Sequence, residues 1–224
     1  MFEKERWLMV EDQIHARGVT NPEVLVAMKD VPRHLFVPDE LMEEAYEDHP
    51  VHIGFGQTIS QPYIVALMLE LAEPGPAKKL LEIGSGSGYL VAVASKLFKS
   101  VVGVERIEGL CDQSKISLQN AGIKNAQITC KDGYEGLEQM GPYDSIIVSC
   151  ACPVIPKALI QQLAPLGVLV APVGDSFFQE LIIVRKEPDG RLATFSHCGV
   201  RFVPLISPHI SELSGRGQAE QTEG

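Results

Sequence analysis

No apolar run in this 224-residue sequence approaches the roughly 20 residues that a membrane-spanning helix needs. The opening MFEKERWLMVEDQ alternates charged with apolar side chains and lacks the uninterrupted apolar stretch of a secretory leader. A cytoplasmic protein is expected. Basic residues are in the minority, 19 Lys and Arg against 29 Asp and Glu, and the resulting net charge of −10 repels phosphate backbones and argues against a nucleic-acid substrate. The five cysteines, Cys111, Cys130, Cys150, Cys152 and Cys198, never fall as Cys-x-x-Cys. Such scattered placement suggests neither a disulfide framework nor a zinc site and predicts buried thiols, with the SCACP pair read as small packing residues rather than a redox couple. No metal site is expected, since His49 and His52 of HPVH sit in a Pro-containing loop without further ligands.

What is present is an ordinary globular composition, 45% hydrophobic and 21% charged, long enough for one sizeable core. Nothing resembles an interdomain linker, so one domain is expected over 1–210, built from an N-terminal elaboration (1–60) and a core (61–210). The polar, Gly-containing stretch 211–224 reads as a mobile tail. The first fifty residues read as short helices: EKERWLMVEDQIHARG places Trp7, Val10 and Ile14 to pack, and NPEVLVAMKD begins with an Asn cap and a Pro in the first turn. From about Lys79, β-rich runs alternate with helical ones: KLLEI, SVVGVE, AQITCKD, YDSIIVS and GVLVAPV. Two further β-rich runs flank PDG as an antiparallel hairpin. The pattern predicts an α/β fold, a doubly wound, mostly parallel seven-stranded sheet with helices on both faces, extra N-terminal helices and a C-terminal antiparallel hairpin.

Three features carry chemistry. KKLLEIGSGSGYLVAVASKLF runs strand, glycine turn, helix, with Gly84, Gly86 and Gly88 letting backbone N–H groups approach a ligand. A dinucleotide fold wants G-x-G-x-x-G, and Tyr89 stands where its third glycine would be. Glu105 ends the next strand about twenty residues beyond the first glycine, where an acidic side chain can accept both ribose hydroxyls. After the third strand, Asp132 can take the exocyclic amine of adenine and Gly133 lets a base lie on the backbone; alone, the pair reads equally as a tight turn. Finally, GFGQTISQPY is uncharged and without hydrophobic period, and it places Ser60 where a helix N-cap would be, ahead of Pro62. Ser60 therefore either caps the helix or, with free first-turn N–H groups, receives a substrate carboxylate.

LEIGSGSGY, the strand-ending Glu105, KDG and YDSIIVSCACPVIPKALIQQLAPLGVLVAPVG resemble the successive cofactor motifs of class I S-adenosylmethionine-dependent methyltransferases. With QIHARGV, VPRHLFVP, AYEDHPVHIGFGQTISQPYIVALM and VRFVPL added, residues 5 to 207 resemble the protein-L-isoaspartate O-methyltransferase family. The resemblance implies methylation of the free α-carboxyl of L-isoaspartyl residues in damaged proteins and peptides, with S-adenosyl-L-methionine as donor and S-adenosyl-L-homocysteine as product, and repair through a succinimide. It implies that Gly84, Ser85, Gly86 and Gly88 line the methionine part of the cofactor, that Glu105 holds the ribose and that Asp132 with Gly133 meets the adenine. Ser60 corresponds to the active-site serine, Gln57, Thr58 and Ile59 to a lid-like segment at the cofactor, and the VRFVPL strand around Val203 to a border of the peptide cleft. Cys150 and Cys152 stand where the family usually has alanines, and Ile206 where a polar residue is sometimes found. A monomer is expected. The alternative, a methyltransferase acting on nucleic acid or a small molecule, shares the cofactor half; but amino-group enzymes on nucleic acid carry Asp/Asn-Pro-Pro-aromatic after the fourth strand, where this chain has SCACP. A carboxylate with a reference pKa near ~4 is already ionised at neutral pH, so its methylation needs no general base.

Overall fold

A computed structural model describes residues 1–210; the expected tail, 211–224, lies outside the described residues. Seven strands, β3 (Lys79–Ile83), β4 (Ser100–Glu105), β5 (Ala126–Cys130), β6 (Tyr143–Val148), β7 (Leu163–Gly174), β8 (Gln179–Lys186) and β9 (Leu192–Val200), lie in the order β5-β4-β3-β6-β7-β8-β9. Pairing is parallel from β5 through β7 and antiparallel through β8 and β9, as the alternating runs and the PDG hairpin predict. A strand's side chains alternate between faces, so its core is divided: Leu80, Val101 and Ile147 enter one hydrophobic cluster and Leu81, Val102 and Ile146 the other. Helices α3 (Pro62–Leu71), α4 (Tyr89–Ala94) and α5 (Glu108–Asn120) contribute to the first cluster and α6 (Lys157–Gln161) to the second. Burial on both faces explains why β3 and β4 read as continuous apolar runs.

The chain leaves β3 for β4 on one side and returns to β6 on the other. The strand order therefore reverses between β3 and β6, and a crevice opens beyond their C-terminal ends. Gly84, Glu105, Asp132 and Ser149 stand at or just after four of those ends.

The N-terminal region begins with α1 (Glu3–Leu8), continues through a π-helical stretch at Met9–Ile14 and leads to α2 (Pro22–Asp30). Asn21 Oδ1 accepts the Glu23 and Val24 N–H groups (3.0 and 3.2 Å), the cap that the sequence predicts. Val10 and Ile14 pack as expected, but Trp7, in α1 ahead of the π-helical stretch, is 53% exposed.

GFGQTISQPY forms part of a hairpin: β1 (Val51–Gly54) pairs antiparallel with β2 (Gln57–Ile59) around a turn in which Gly54, Phe55 and Gly56 all have positive φ. Two expectations need correction. Cys111, in the first turn of α5, and Cys130, at the end of β5, form a disulfide with Cα atoms 5.8 Å apart. The helix runs back along the sheet and brings them together, which a separation of 19 residues does not signal. VRFVPL is not a strand beyond Val200; Pro204 makes only an isolated bridge with Ala151.

Gly103 shows how tightly the sheet supports the glycine turn. A Cβ there would stand 2.7 Å from Ile128 Cδ1 and 2.9 Å from both Ser85 Cβ and Val91 Cγ2. Gly103→Ala should cost ~1–3 kcal/mol of unfolding free energy in urea titration; an unchanged midpoint would contradict this packing.

Candidate active site

The turn after β3 is shaped by left-handed backbone at Gly84, Gly86 and Gly88 (φ 75°, 51° and 82°). It is tied to the sheet through the Gly84 and Ser85 N–H groups, which both donate to the Val104 carbonyl (2.8 and 3.2 Å). Glu105, buried at the end of β4, then binds it from below: Oε2 accepts the Gly86 N–H (2.9 Å) and Oε1 accepts those of Arg106 and Ile107 (2.7 and 2.9 Å). These bonds use about three of a carboxylate's four acceptor positions.

Gly84, Gly86, Glu105, Gly133, Gln57 and Thr58 line one narrow cleft. Gly133 lies so close to β3 that a Cβ would stand 2.5 Å from Ile83 Cγ2. Asp132 does not line the cleft: Oδ1 caps the following turn through the Tyr134 N–H (3.0 Å) and Oδ2 accepts the Ser207 hydroxyl (2.9 Å). Gly88 is also outside it, facing Ser114 of α5, where a Cβ would come within 3.1 Å. The cleft measures about 60 Å³, well below the roughly 300–1,000 Å³ of small-molecule sites. Gln57 and Thr58 from the hairpin and Pro204–Ile206 from the C-terminal segment complete its lining. The hairpin rests on the turn, with Ile53 Cδ1 3.3 Å from where a Gly86 Cβ would be and the Phe55 ring over Gly109.

Behind the cleft opens a broader groove that contains Ser60, Tyr63, Phe178, Arg201 and Val203; Thr58, Ser149 and Val203 border both spaces. Ser60 is not the helix cap. Gln61 occupies that position, and its side chain is drawn away to Asp48 (2.7 Å). The Ser60 hydroxyl makes no hydrogen bond among the described residues, while its carbonyl accepts Arg33 Nη2 (2.7 Å). The Val203 carbonyl is taken by the Ala151 N–H (2.8 Å), whereas the Val203 N–H has no partner among the described residues. Ile59 and Ser85 border a third, small space with Ser60.

That third space holds two residues to which sequence reasoning assigned no role. Glu82 and Ser149 share a hydrogen bond, the hydroxyl donating to Oε1 at 2.6 Å, and Glu82 Oε2 and Ser85 Oγ are buried without partners. Burial pushes the Glu82 carboxyl up to about 8; the Ser149 hydrogen bond opposes this and the nearby Glu105 charge adds to it. The signal was available only as an acidic residue within a buried strand, two positions before the first glycine. Burial also holds the Cys150 thiol well above its usual range, which removes it as a thiolate nucleophile at neutral pH. Orphaned oxygens beside a left-handed backbone turn suit a ligand bearing cationic and hydrogen-bonding groups. The residues present therefore fit S-adenosylmethionine, which carries a sulfonium and an ammonium.

A family model described as protein-L-isoaspartate(D-aspartate) O-methyltransferase matches residues 4–209. A protein-L-isoaspartate O-methyltransferase of Methanospirillum hungatei is 50% identical over 202 residues, covering 90% of this chain and 93% of that one. One from Pelotomaculum thermopropionicum is 46% identical over 202 residues, covering 90% and 88%. A solved structure described as the β-aspartate methyltransferase of Plasmodium falciparum in complex with S-adenosyl-L-homocysteine is similar with a TM-score of 0.79 at 27% identity, over 90% of this chain and 98% of that one. A second, described as a protein-L-isoaspartate O-methyltransferase, has a TM-score of 0.83 at 27% identity, over 98% and 70%.

Glu82 makes stability depend on pH. With its folded pKa raised from 4.5 to about 8, the folded state retains a proton that the unfolded chain loses, so its contribution is present in acid and is lost as pH rises toward 8. Glu82→Gln should remove a fall of a few kcal/mol between about pH 5 and 8; parallel stability curves for the two proteins would contradict the assignment.

Proposed function

The chain belongs to the protein-L-isoaspartate(D-aspartate) O-methyltransferase family, and on that premise we propose that it methylates the free α-carboxyl of L-isoaspartyl residues in damaged proteins and peptides. The product ester then closes to a succinimide, which starts repair. The observation that carries this reading is the unbonded Ser60 hydroxyl, on a residue that borders both the broad groove and the small space beside the glycine turn.

S-adenosylmethionine supplies an activated methyl group on sulfur when bound. On the protein side, Gly84, Ser85 and Gly86 would hold its methionine part, Glu105 a ribose hydroxyl, and Gly133 the adenine face. Gly88 contributes by seating α4 against α5 rather than by contact. Asp132 would reach the adenine amine by sharing the oxygen that now accepts Ser207. Glu82, neutral at pH 7 in this structure, would yield its proton to solvent as a cation approaches.

The substrate carboxylate is ionised already, so what the protein must supply is alignment and exclusion of water. Ser60 donates to the carboxylate and the Val203 N–H anchors the peptide main chain. Gln57, Thr58 and Ile59 wall the junction without charge: a fixed anion there would repel the nucleophile, and a fixed cation would oppose the sulfonium. The net charge of −10 supports a protein substrate over nucleic acid. Among the described residues no helix is long and apolar enough to cross a membrane. We take the enzyme to be cytoplasmic and monomeric.

With labelled S-adenosylmethionine, an isoaspartyl peptide should become a base-labile methyl ester while the matching aspartyl peptide stays unlabelled; equal labelling, or none, would sink the reading. Ser60→Ala should lower kcat at least roughly tenfold and leave S-adenosylhomocysteine affinity within about twofold, and an unchanged kcat would remove Ser60 from the site.

A further inference from the structure

Arg33 begins the VPRHLFVP turn that the cofactor motifs leave without a role, and its side chain is wholly buried. Nε donates to the Ala45 carbonyl (2.7 Å) and Nη2 to the Ser60 carbonyl (2.7 Å), while the guanidinium lies 4.8 Å from the centre of the Tyr89 ring. Nη1 has no hydrogen-bond partner, and no carboxylate lies within ion-pair distance of Arg33 among the described residues. Burial draws its pKa down to about 10, against the neighbouring Tyr89 and Tyr46, and the group stays charged at neutral pH.

A buried cation without a counter-ion is expensive, and a hydrophobic side chain of similar volume would stabilise the same space at lower cost. The position of its contacts explains its presence. Tyr89 is the first residue of α4, directly after the glycine turn, and Ser60 is the residue at the groove. One planar fork thus ties the carbonyl of Ser60 to that of Ala45, while the same guanidinium lies against Tyr89 at the start of α4. A lysine could preserve the charge but not both directional bonds.

We propose that Arg33 is a positioning residue for methyl transfer, fixing the Ser60 main chain against α4 so that the serine hydroxyl meets the substrate carboxylate. Arg33 touches neither substrate nor cofactor; it acts through Ser60, and its uncompensated charge favours an anion brought to that serine. This role rests on the isoaspartyl-methylation reading.

The test compares wild type, Arg33→Lys and Arg33→Met with an isoaspartyl peptide. It reads kcat per S-adenosylhomocysteine-binding molecule, peptide KM, S-adenosylhomocysteine Kd and Tm. The expected result is a kcat lowered at least roughly tenfold in Arg33→Met and partly restored in Arg33→Lys, with Kd for S-adenosylhomocysteine within about twofold throughout. A lowered Tm with unchanged kcat would make Arg33 merely structural and overturn the proposal. Should Arg33→Met fail to fold, Arg33→Lys decides: a wild-type kcat overturns the proposal and a reduced one supports it. Wild-type protein that binds S-adenosylhomocysteine yet transfers no methyl to the peptide overturns the functional reading and this role with it; active wild type with unaffected variants overturns the Arg33 role alone.

Discussion

The buried Glu105 carboxylate, taking N–H groups from Gly86, Arg106 and Ile107, is the contact on which the rest of the site depends. Buried acceptors in this position must be matched by donors, and the backbone amides supply them. Because the donors belong to the turns after both β3 and β4, one side chain sets the two walls of the crevice relative to each other. The hairpin then rests on the first of these turns and on the start of α5, with Ile53 over Gly86 and Phe55 over Gly109. Displacing the carboxylate would loosen the floor and the cover together.

Around that floor, charge is distributed with some economy. Glu82 is buried deeply enough to keep its proton at neutral pH, so the structure does not carry two adjacent buried anions. On the substrate side the sign is reversed: Arg33 lies beneath the Ser60 carbonyl, and no carboxylate neutralises it among the described residues. Both buried groups lie close to Ser60: Glu82 borders the same small space as that residue, and Arg33 is bonded to its carbonyl.

Much of the sheet was legible because strand and helix periods alternate from Lys79 onward and glycines and acidic residues sit at strand ends. The β1–β2 hairpin was not. Its strands have four and three residues, and its turn uses Phe55 at positive φ, so no apolar alternation or standard turn pair announces it. The helix cap expected at Ser60 falls one position later, at Gln61, since local sequence cannot say which of the two carries the last extended backbone before Pro62. The Cys111–Cys130 disulfide, the Glu82–Ser149 bond and the reach of Arg33 to Ser60 join residues 19, 67 and 27 positions apart. Only the packed fold brings such pairs together, and burial, which makes Glu82 and Arg33 unusual, has no local signature.

The central claim is that Ser60 receives the substrate carboxylate opposite the cofactor sulfur. A crystal structure with S-adenosylhomocysteine and an isoaspartyl peptide bound together tests it most directly. The account predicts a carboxylate oxygen within about 3 Å of the Ser60 hydroxyl and facing the sulfur, with the peptide main chain at the Val203 N–H. A carboxylate seated elsewhere in the groove, for instance at Arg201, with Ser60 unengaged, would contradict it.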